Sequence, residues 1–289
     1  MMHKHIFLSI IALCTWAFAA CSDKQASTLA LDCATFNIRY DNPEDSLNNW
    51  KYRKDSVAAF IQHHNLDVVG CQEVLYHQLA DLQERLPEYG YVGVCRDDGD
   101  RAGEAAPIFY KKDRFELLGS NTFWLSQYPD SVGFIGWDGA CCRIATWAKL
   151  RERHTGRVFM AVNTHFDHVG TEARRKAALL IIDSIRSIVG DQPAILTGDF
   201  NVNDQSEAYR TITTNEFVLR DAHKIAEERE GVEWTFHDWG KIPEEECEKI
   251  DFIFVTATGR VTKSSIPHPG AGPAGYLSDH NPHLAHVEF

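Results

Sequence analysis

A succession of short apolar runs, each closing on a polar side chain, constrains this chain more than any other feature. The runs are Leu31–Ile38, Asp67–Cys71, Ile108–Tyr110, Ile144–Leu150, Val158–Asn163, Ala194–Leu196, Ile250–Val255 and Leu284–Phe289. They are too short for core helices and read as buried strands. Two longer segments carry helical spacing instead. Tyr52–His63 sets Val57, Phe60 and Ile61 on one face, and Glu172–Val189 does the same with Ala177, Leu180, Ile181, Ile185 and Ile188. Tyr76–Arg85 is predicted as a third helix. Strands outnumber helices and several neighbours are hairpin-like. The pattern predicts an α/β fold with two sheets packed together and helices outside, rather than an alternating doubly wound sheet.

The chain has 289 residues, 44% of them hydrophobic, an ordinary share for a globular core. No repeat or low-complexity tract divides it, and residues 30–289 are expected to form one domain. The start is different. "MMHKH" is basic and short, and Ile6–Ala20 is apolar. That run is shorter than the roughly 20 residues of a membrane span and fits a secretory signal. Its ending, "FAAC", resembles a bacterial lipobox. The expectation is a signal peptide over residues 1–20, a lipid on Cys21, a tether over 21–29, and an exported protein held to a membrane on its periplasmic or cell-surface side. An ordinary signal peptide with an unmodified Cys21 is the alternative.

The chain carries 29 Lys and Arg against 41 Asp and Glu, net −12, and loss of the signal removes one more positive charge, Lys4. An acidic surface without a basic run repels polyanions, so long nucleic acid is a poor substrate. Beyond Cys21 the cysteines include no CxxC pair, which argues against a zinc site or redox dithiol. Oligomeric state leaves no mark on the sequence.

The polar residues at the run ends are the candidate site. Asn37 follows "CATF", Glu73 follows "DVVGCQ", and His165, Asp167 and His168 follow "FMAVNT". Asp199 and Asn201 follow "AILTG", Asp251 follows "KI", and "YLSDHNP" presents Asp279 and His280. Side chains at strand ends are held rigidly yet face a cleft. Period-two alternation would point Asp199 and Asn201 the same way. Glu73, Asp199, Asp279 and Asn201 offer hard oxygens suited to Mg²⁺ or Mn²⁺. His165 and His280 can donate to an anion, and Asp251 can fix the tautomer of one imidazole. Such a set suits hydrolysis of a phosphate ester.

"TFNIRY", "GCQEV", "NTHFDH", "TGDFN", "KIDFIF" and "LSDHNP", in this order, resemble the endonuclease/exonuclease/phosphatase superfamily over Leu31 to Phe289. The resemblance implies a four-layer α/β sandwich, two mostly antiparallel mixed sheets face to face with helices outside, and a divalent-metal phosphoesterase. It implies that Glu73, with Asn37 and Asp279, holds the metal, and that Asp199 deprotonates the attacking water beside Asn201. His165 would bond the phosphoryl oxygens, and Asp251 would orient His280 toward the phosphate. One departure stands out: some nuclease branches carry an acid two residues after the Asn, where this chain has Arg39. That fits a branch cutting small phosphate esters.

Further candidates for substrate contact are Arg39, Arg53, Tyr110, Arg143 and Trp234. "DNPEDSLNNWKYRKDSV" resembles an exported bacterial branch, with Trp50 and Arg53 facing the cleft, Arg53 on a phosphate, or else in an exposed helix start with Trp50 packed as a lid. Arg143 is read as a phosphate clamp or a salt-bridged strand residue, Tyr110 as a phosphate contact, and the aromatics of "WTFHDW" as a stacking face or rim. The leading expectation is a phosphoesterase acting on a small exported sugar phosphate, inositol phosphate, lipid head group or nucleotide. An exported Mg-dependent nuclease and a non-catalytic phosphoglycan-binding lipoprotein are the alternatives.

Overall fold

The computed structural model describes residues 28–190, 192–215, 217, 219–268 and 275–289. The expected signal, Cys21 and most of the tether lie outside the described residues. Leu29 is buried and pairs through its backbone with Phe289.

Two large sheets carry the fold. In the first, the strands lie in the order Glu228–Gly231, Arg260–Ile266, His283–Glu288, Ala30–Asn37, Val68–Gln72, Ile108–Lys111 and Tyr89–Val92. In the second, the order is Leu219–Asp221, Asp251–Thr256, Ala194–Asp199, Val158–His165, Ile144–Glu152 and Phe115–Trp124. Most neighbours are antiparallel. A parallel pair sits at the centre of each sheet, where Ala30–Asn37 meets Val68–Gln72 and Val158–His165 meets Ala194–Asp199, and a third, Glu228–Gly231 with Arg260–Ile266, lies at the edge of the first.

Three apolar layers explain why the central strands read as unbroken apolar runs. Between the sheets, Leu31, Val68 and Ile108 of one pack with Leu150, Phe159, Ile195 and Val255 of the other. Outside the first sheet, Val57 and Ile61 of helix Trp50–His63 and Leu82 of helix Tyr76–Arg85 cover Phe36 and Phe109. Outside the second, Ile181 and Ile185 of helix Thr171–Val189 and Ile212 of helix Glu207–Thr214 cover Met160, Leu196 and Phe254. Strands buried on both faces need no polar alternation. Each fully buried aliphatic side chain contributes about 1.5–3 kcal/mol. This is the four-layer sandwich expected from the sequence.

The layer between the sheets turns polar toward one end. Asn163 donates to the carbonyls of Cys71 and Pro107 at 2.7 and 3.0 Å, and accepts from Gln72 at 2.7 Å and Thr197 at 3.1 Å. Gly70 makes this approach possible, because a Cβ there would collide with Thr197 Oγ1 and Asn163 Oδ1. The seam locks the sheets together beneath the strand ends that carry Asn37, Glu73, His165 and Asp199.

Candidate active site

Strand register gathers the polar ends. Asn37 stands opposite Gln72, one residue from Glu73. His165 stands opposite Asp199, and Asp199 opposite Asp251. His280 arrives on the turn before the His283–Glu288 strand and bridges to Phe236. Residues distant in sequence thus reach one point.

Asn37 is the hub. Its amide nitrogen donates to Glu73 Oε1 at 3.0 Å and Asp199 Oδ2 at 2.9 Å, and lies 3.5 Å from His280 Nε2. Its amide oxygen accepts from the Arg39 N–H at 3.0 Å, which fixes the orientation of the group. Glu73 Oε2 accepts from the Tyr40 N–H at 3.1 Å. On the far side, His280 Nδ1 and Asp251 Oδ2 are 2.8 Å apart, and both residues are buried. Asn201 Nδ2 meets His165 Nε2 at 3.0 Å and the Phe166 carbonyl at 2.9 Å, so that imidazole nitrogen is the acceptor.

Burial and charge tune these groups. Burial pushes the Asp199 carboxyl up to about 7, helped by Asp251 and opposed by His280, Asn37 and the Asn201 N–H. Burial alone would lower His280. Asp251, through its charge and hydrogen bond, overcomes it together with Asp199 and Asp279, and the imidazole rises to about 10. His280 is therefore a cation with Nε2–H facing Asp199 and Asn37. His165 is the opposite case: burial first, then Arg143, Arg96 and His280, hold it well below the usual histidine range and neutral.

Among the described residues, three sets of side chains have the spacing for a cation, two of them at this cluster. Glu73, His165 and Asp199 bring ligand atoms within 4.8 Å of one another, and so do Asp199, Asp251 and His280. The first set fits a hard divalent ion, since two carboxylates converge there. In the second, His280 and Asp251 are already spent on each other. A third group, Cys141, Asp167 and His168, has the same spacing. Its Asp167 accepts from the N–H groups of Ala140, Cys141, Val169 and Gly170, so it organises a loop.

Asn37 and Asp279 are expected beside Glu73 as metal ligands. The Asn37 oxygen accepts from the Arg39 N–H, and Asp279 Oδ2 faces Arg39 Nη1 at 3.5 Å while Oδ1 accepts from Ser278. Asp199 and His165 are the residues at ligand spacing from Glu73. Asn201 does share a site with Asp199, but not by strand alternation. The strand ends at Asp199, Asn201 is left-handed at φ 50°, and its N–H caps Asp199 Oδ1 at 2.9 Å.

Among the substrate candidates, Tyr110 is at the wrong end. Antiparallel pairing sets it opposite Val68, at the start of the strand whose far end leads to Glu73. Arg53 is fully buried and donates to the carbonyls of Asn48, Ile38, Leu277 and Arg39 between the rings of Trp50 and Trp239, so it braces the loops instead of meeting a phosphate. Arg39 points its fork at Asp45, Asp279 and Glu73. Arg143 lies beside His165, with Nη2 on His168 at 3.1 Å, while buried Nη1 and Nε make no hydrogen bond and lie 3.9 Å from Glu104 and Asp167. Trp234 is half-buried on the rim, edge-on to His237 and His268.

The sequence reading missed Glu104. It pairs with Arg96 at 2.7 Å, lies 3.9 Å from both Arg143 Nη1 and His165 Nδ1, and burial followed by Glu73 raises its carboxyl. It sits on a two-residue strand after a turn, where no apolar run marked it. Phe236 carried no assignment from the sequence, and its ring packs 4.9 Å from that of His280.

The profile of the Endonuclease/Exonuclease/phosphatase family matches residues 34–280. An endonuclease/exonuclease/phosphatase from Bacteroides vulgatus superposes with TM-score 0.88 at 62% identity, covering 90% of this chain and 99% of that one. The mannosyl-6-phosphatase of Bacteroides thetaiotaomicron gives TM-score 0.82 at 34% identity, over 90% of this chain and 100% of its own. Nocturnin of Drosophila melanogaster is 27% identical over 82% of this chain, and the chain spans 42% of Nocturnin's length. The chain belongs to the endonuclease/exonuclease/phosphatase family, whose members are hydrolases of phosphate esters.

Proposed function

We propose that this protein is a divalent-metal phosphatase that releases phosphate from a small sugar phosphate. The observation that carries it is the convergence of Asn37, Glu73, His165, Asp199, Asp251 and His280 in one buried cluster. Glu73 and Asp199 would hold the ion, which when bound polarises a phosphoryl oxygen. Asp199, capped by Asn201, orients the attacking water and takes its proton. His280, held by Asp251, directs Nε2–H at the phosphoryl oxygens and stabilises the charge that develops as the phosphorus–oxygen bond to the sugar breaks. Arg143, two of whose buried donors make no hydrogen bond, would meet the phosphate from the His165 side.

A small substrate is supported by how the cleft's other arginines are spent. Arg39 and Arg53 are committed to internal partners and so offer little free positive charge to a polyanion. The likeness to a mannosyl-6-phosphatase over nearly the whole of both chains supports a sugar leaving group, and Trp234 offers a ring on which it stacks. Export and lipidation of Cys21 belong to the same proposal and rest on "FAAC". A palmitate-labelling experiment comparing wild type with Cys21→Ala tests them.

The functional test is phosphate release from hexose 6-phosphates, inositol phosphates, nucleotides, a methyl hexosyl diester and single-stranded DNA, each with Mg²⁺, Mn²⁺ or EDTA. The proposal expects metal-dependent release from a hexose phosphate and little from the diester or DNA. Cleavage confined to DNA would replace it with the nuclease reading.

A further inference from the structure

His237 takes no part in the hydrolysis just described, yet its loop holds it in one orientation beside the cleft. Its N–H bonds the Asp279 carbonyl at 3.1 Å, one residue along from the bridge between Phe236 and His280. Its ring lies 5.2 Å from that of Tyr276 and 5.8 Å from that of Trp234, and both neighbours are half-buried. His237 itself is buried. Nδ1 accepts from the Gly240 N–H at 3.1 Å, so Nε2 carries the hydrogen. That donor is buried and has no hydrogen-bond partner.

A buried donor left unmade is costly, and native structures keep few of them. Turning the ring over would not relieve this one, because the Gly240 bond would be given up. The group is also unsuited to an anion. Burial first, then the His280 cation, lowers the imidazole to about 4, so at neutral pH it is an uncharged N–H between aromatic rings. A phosphate or carboxylate would lose more hydration there than a neutral donor returns. A hydroxyl fits, since it accepts one hydrogen bond while the C–H face of the ring that bears it lies against Trp234.

We propose that His237 Nε2–H, beside Trp234 and Tyr276, recognises a hydroxyl of the leaving sugar, which makes this histidine a specificity residue of the phosphatase. The inference rests on the reading of the substrate as a small sugar phosphate. It divides the work of the cleft: the strand-end cluster takes the phosphoryl group, and the Trp234–His237 loop takes the alcohol.

The test compares hexose 6-phosphate with phenyl phosphate, which offers a ring to stack and no hydroxyl, on the purified full chain with Mg²⁺. His237→Gln places an amide donor near the position of Nε2 and loses the acceptor for Gly240. His237→Asn keeps that acceptor and is too short to donate from the Nε2 position. In His237→Asn the ratio of kcat/KM for hexose 6-phosphate over phenyl phosphate is expected to fall about tenfold, carried by KM, as for one lost hydrogen bond. In His237→Gln it should stay within about threefold of wild type. A histidine that only holds the Gly240 turn would give the opposite order, with Asn the better substitute, and that order overturns the inference. Melting curves identify a variant that fails to fold. The other then decides alone: a ratio that falls about tenfold in Gln, or holds in Asn, overturns the inference. A wild type that prefers hexose 6-phosphate, with the preference kept in His237→Asn, defeats this inference and leaves the sugar-phosphate reading standing. A wild type that prefers an inositol phosphate, with the preference lost in His237→Asn, does the reverse. No preference for either over phenyl phosphate defeats both.

Discussion

His280 sets Nδ1 2.8 Å from Asp251 Oδ2 and turns Nε2 toward Asn37 and Asp199, with the whole arrangement closed to solvent. A buried imidazole would ordinarily be neutral. The adjacent carboxylate keeps this one charged, so a donor is aimed at the place where phosphoryl charge grows.

Replacing Asp251 by Asn removes the charge that sustains the imidazolium and keeps the shape. Turnover is expected to fall about 10²–10⁴-fold, the range of a lost acid–base partner, with circular dichroism unchanged. Steady-state kinetics of Asp251→Asn and His280→Ala check this. A rate within threefold of wild type for either contradicts the assignment.

Glu73→Gln keeps the hydrogen bond to Asn37 possible while removing a charged ligand. The Mg²⁺ concentration for half-maximal rate should rise at least about tenfold, in line with losses measured for supporting groups of metal sites. An unchanged metal titration would show that Glu73 is not a ligand.

Much of this site was legible because strand ends are marked twice, by the apolar run and by the polar residue that stops it. Asn37, Glu73, His165, Asp199, Asp251 and His280 were singled out in that way, and the fold brings them together. The helix Tyr76–Arg85 was read to its boundaries, and Trp50–His63 and Thr171–Val189 within two residues. Phe115–Trp124 was missed because it is an edge strand, largely exposed along its middle, with no continuous apolar signal. Tyr110 was misplaced because sequence gives a strand but not its direction. Arg39 and Arg53 were misread because a guanidinium looks the same in sequence whether it meets a phosphate, a carboxylate or four backbone carbonyls.

Arg53→Met tests that distinction. It strands carbonyls of Asn48, Ile38 and Leu277 in the interior, and unsatisfied buried groups cost about 1–3 kcal/mol each. Urea denaturation should show a loss of at least about 2 kcal/mol, with KM per folded enzyme little changed. A raised KM at full stability would return Arg53 to the substrate.

His223 and His283 make a pH prediction away from the cleft. Both bond Ser264, at 2.8 and 2.9 Å, and burial, then Lys249, lowers both below the ordinary histidine value, His283 far below. The unfolded chain therefore binds protons that the native state refuses. The stability these residues contribute is complete above about pH 6.5 and is lost as pH falls toward their folded values. The melting-temperature advantage of wild type over His283→Gln should shrink between pH 7 and pH 5. An advantage that grows on acidification contradicts the neutral, buried assignment.

The central claim is water attack at phosphorus in the Asp199 and His280 cluster, and one isotope experiment tests it most directly. A hexose 6-phosphate is hydrolysed in ¹⁸O-water with Mg²⁺, and both products are weighed by mass spectrometry, with Asp199→Asn in parallel. The account predicts one ¹⁸O in the released phosphate, none in the sugar, and no release by the variant. Label in the sugar hydroxyl, or undiminished release by Asp199→Asn, would contradict it.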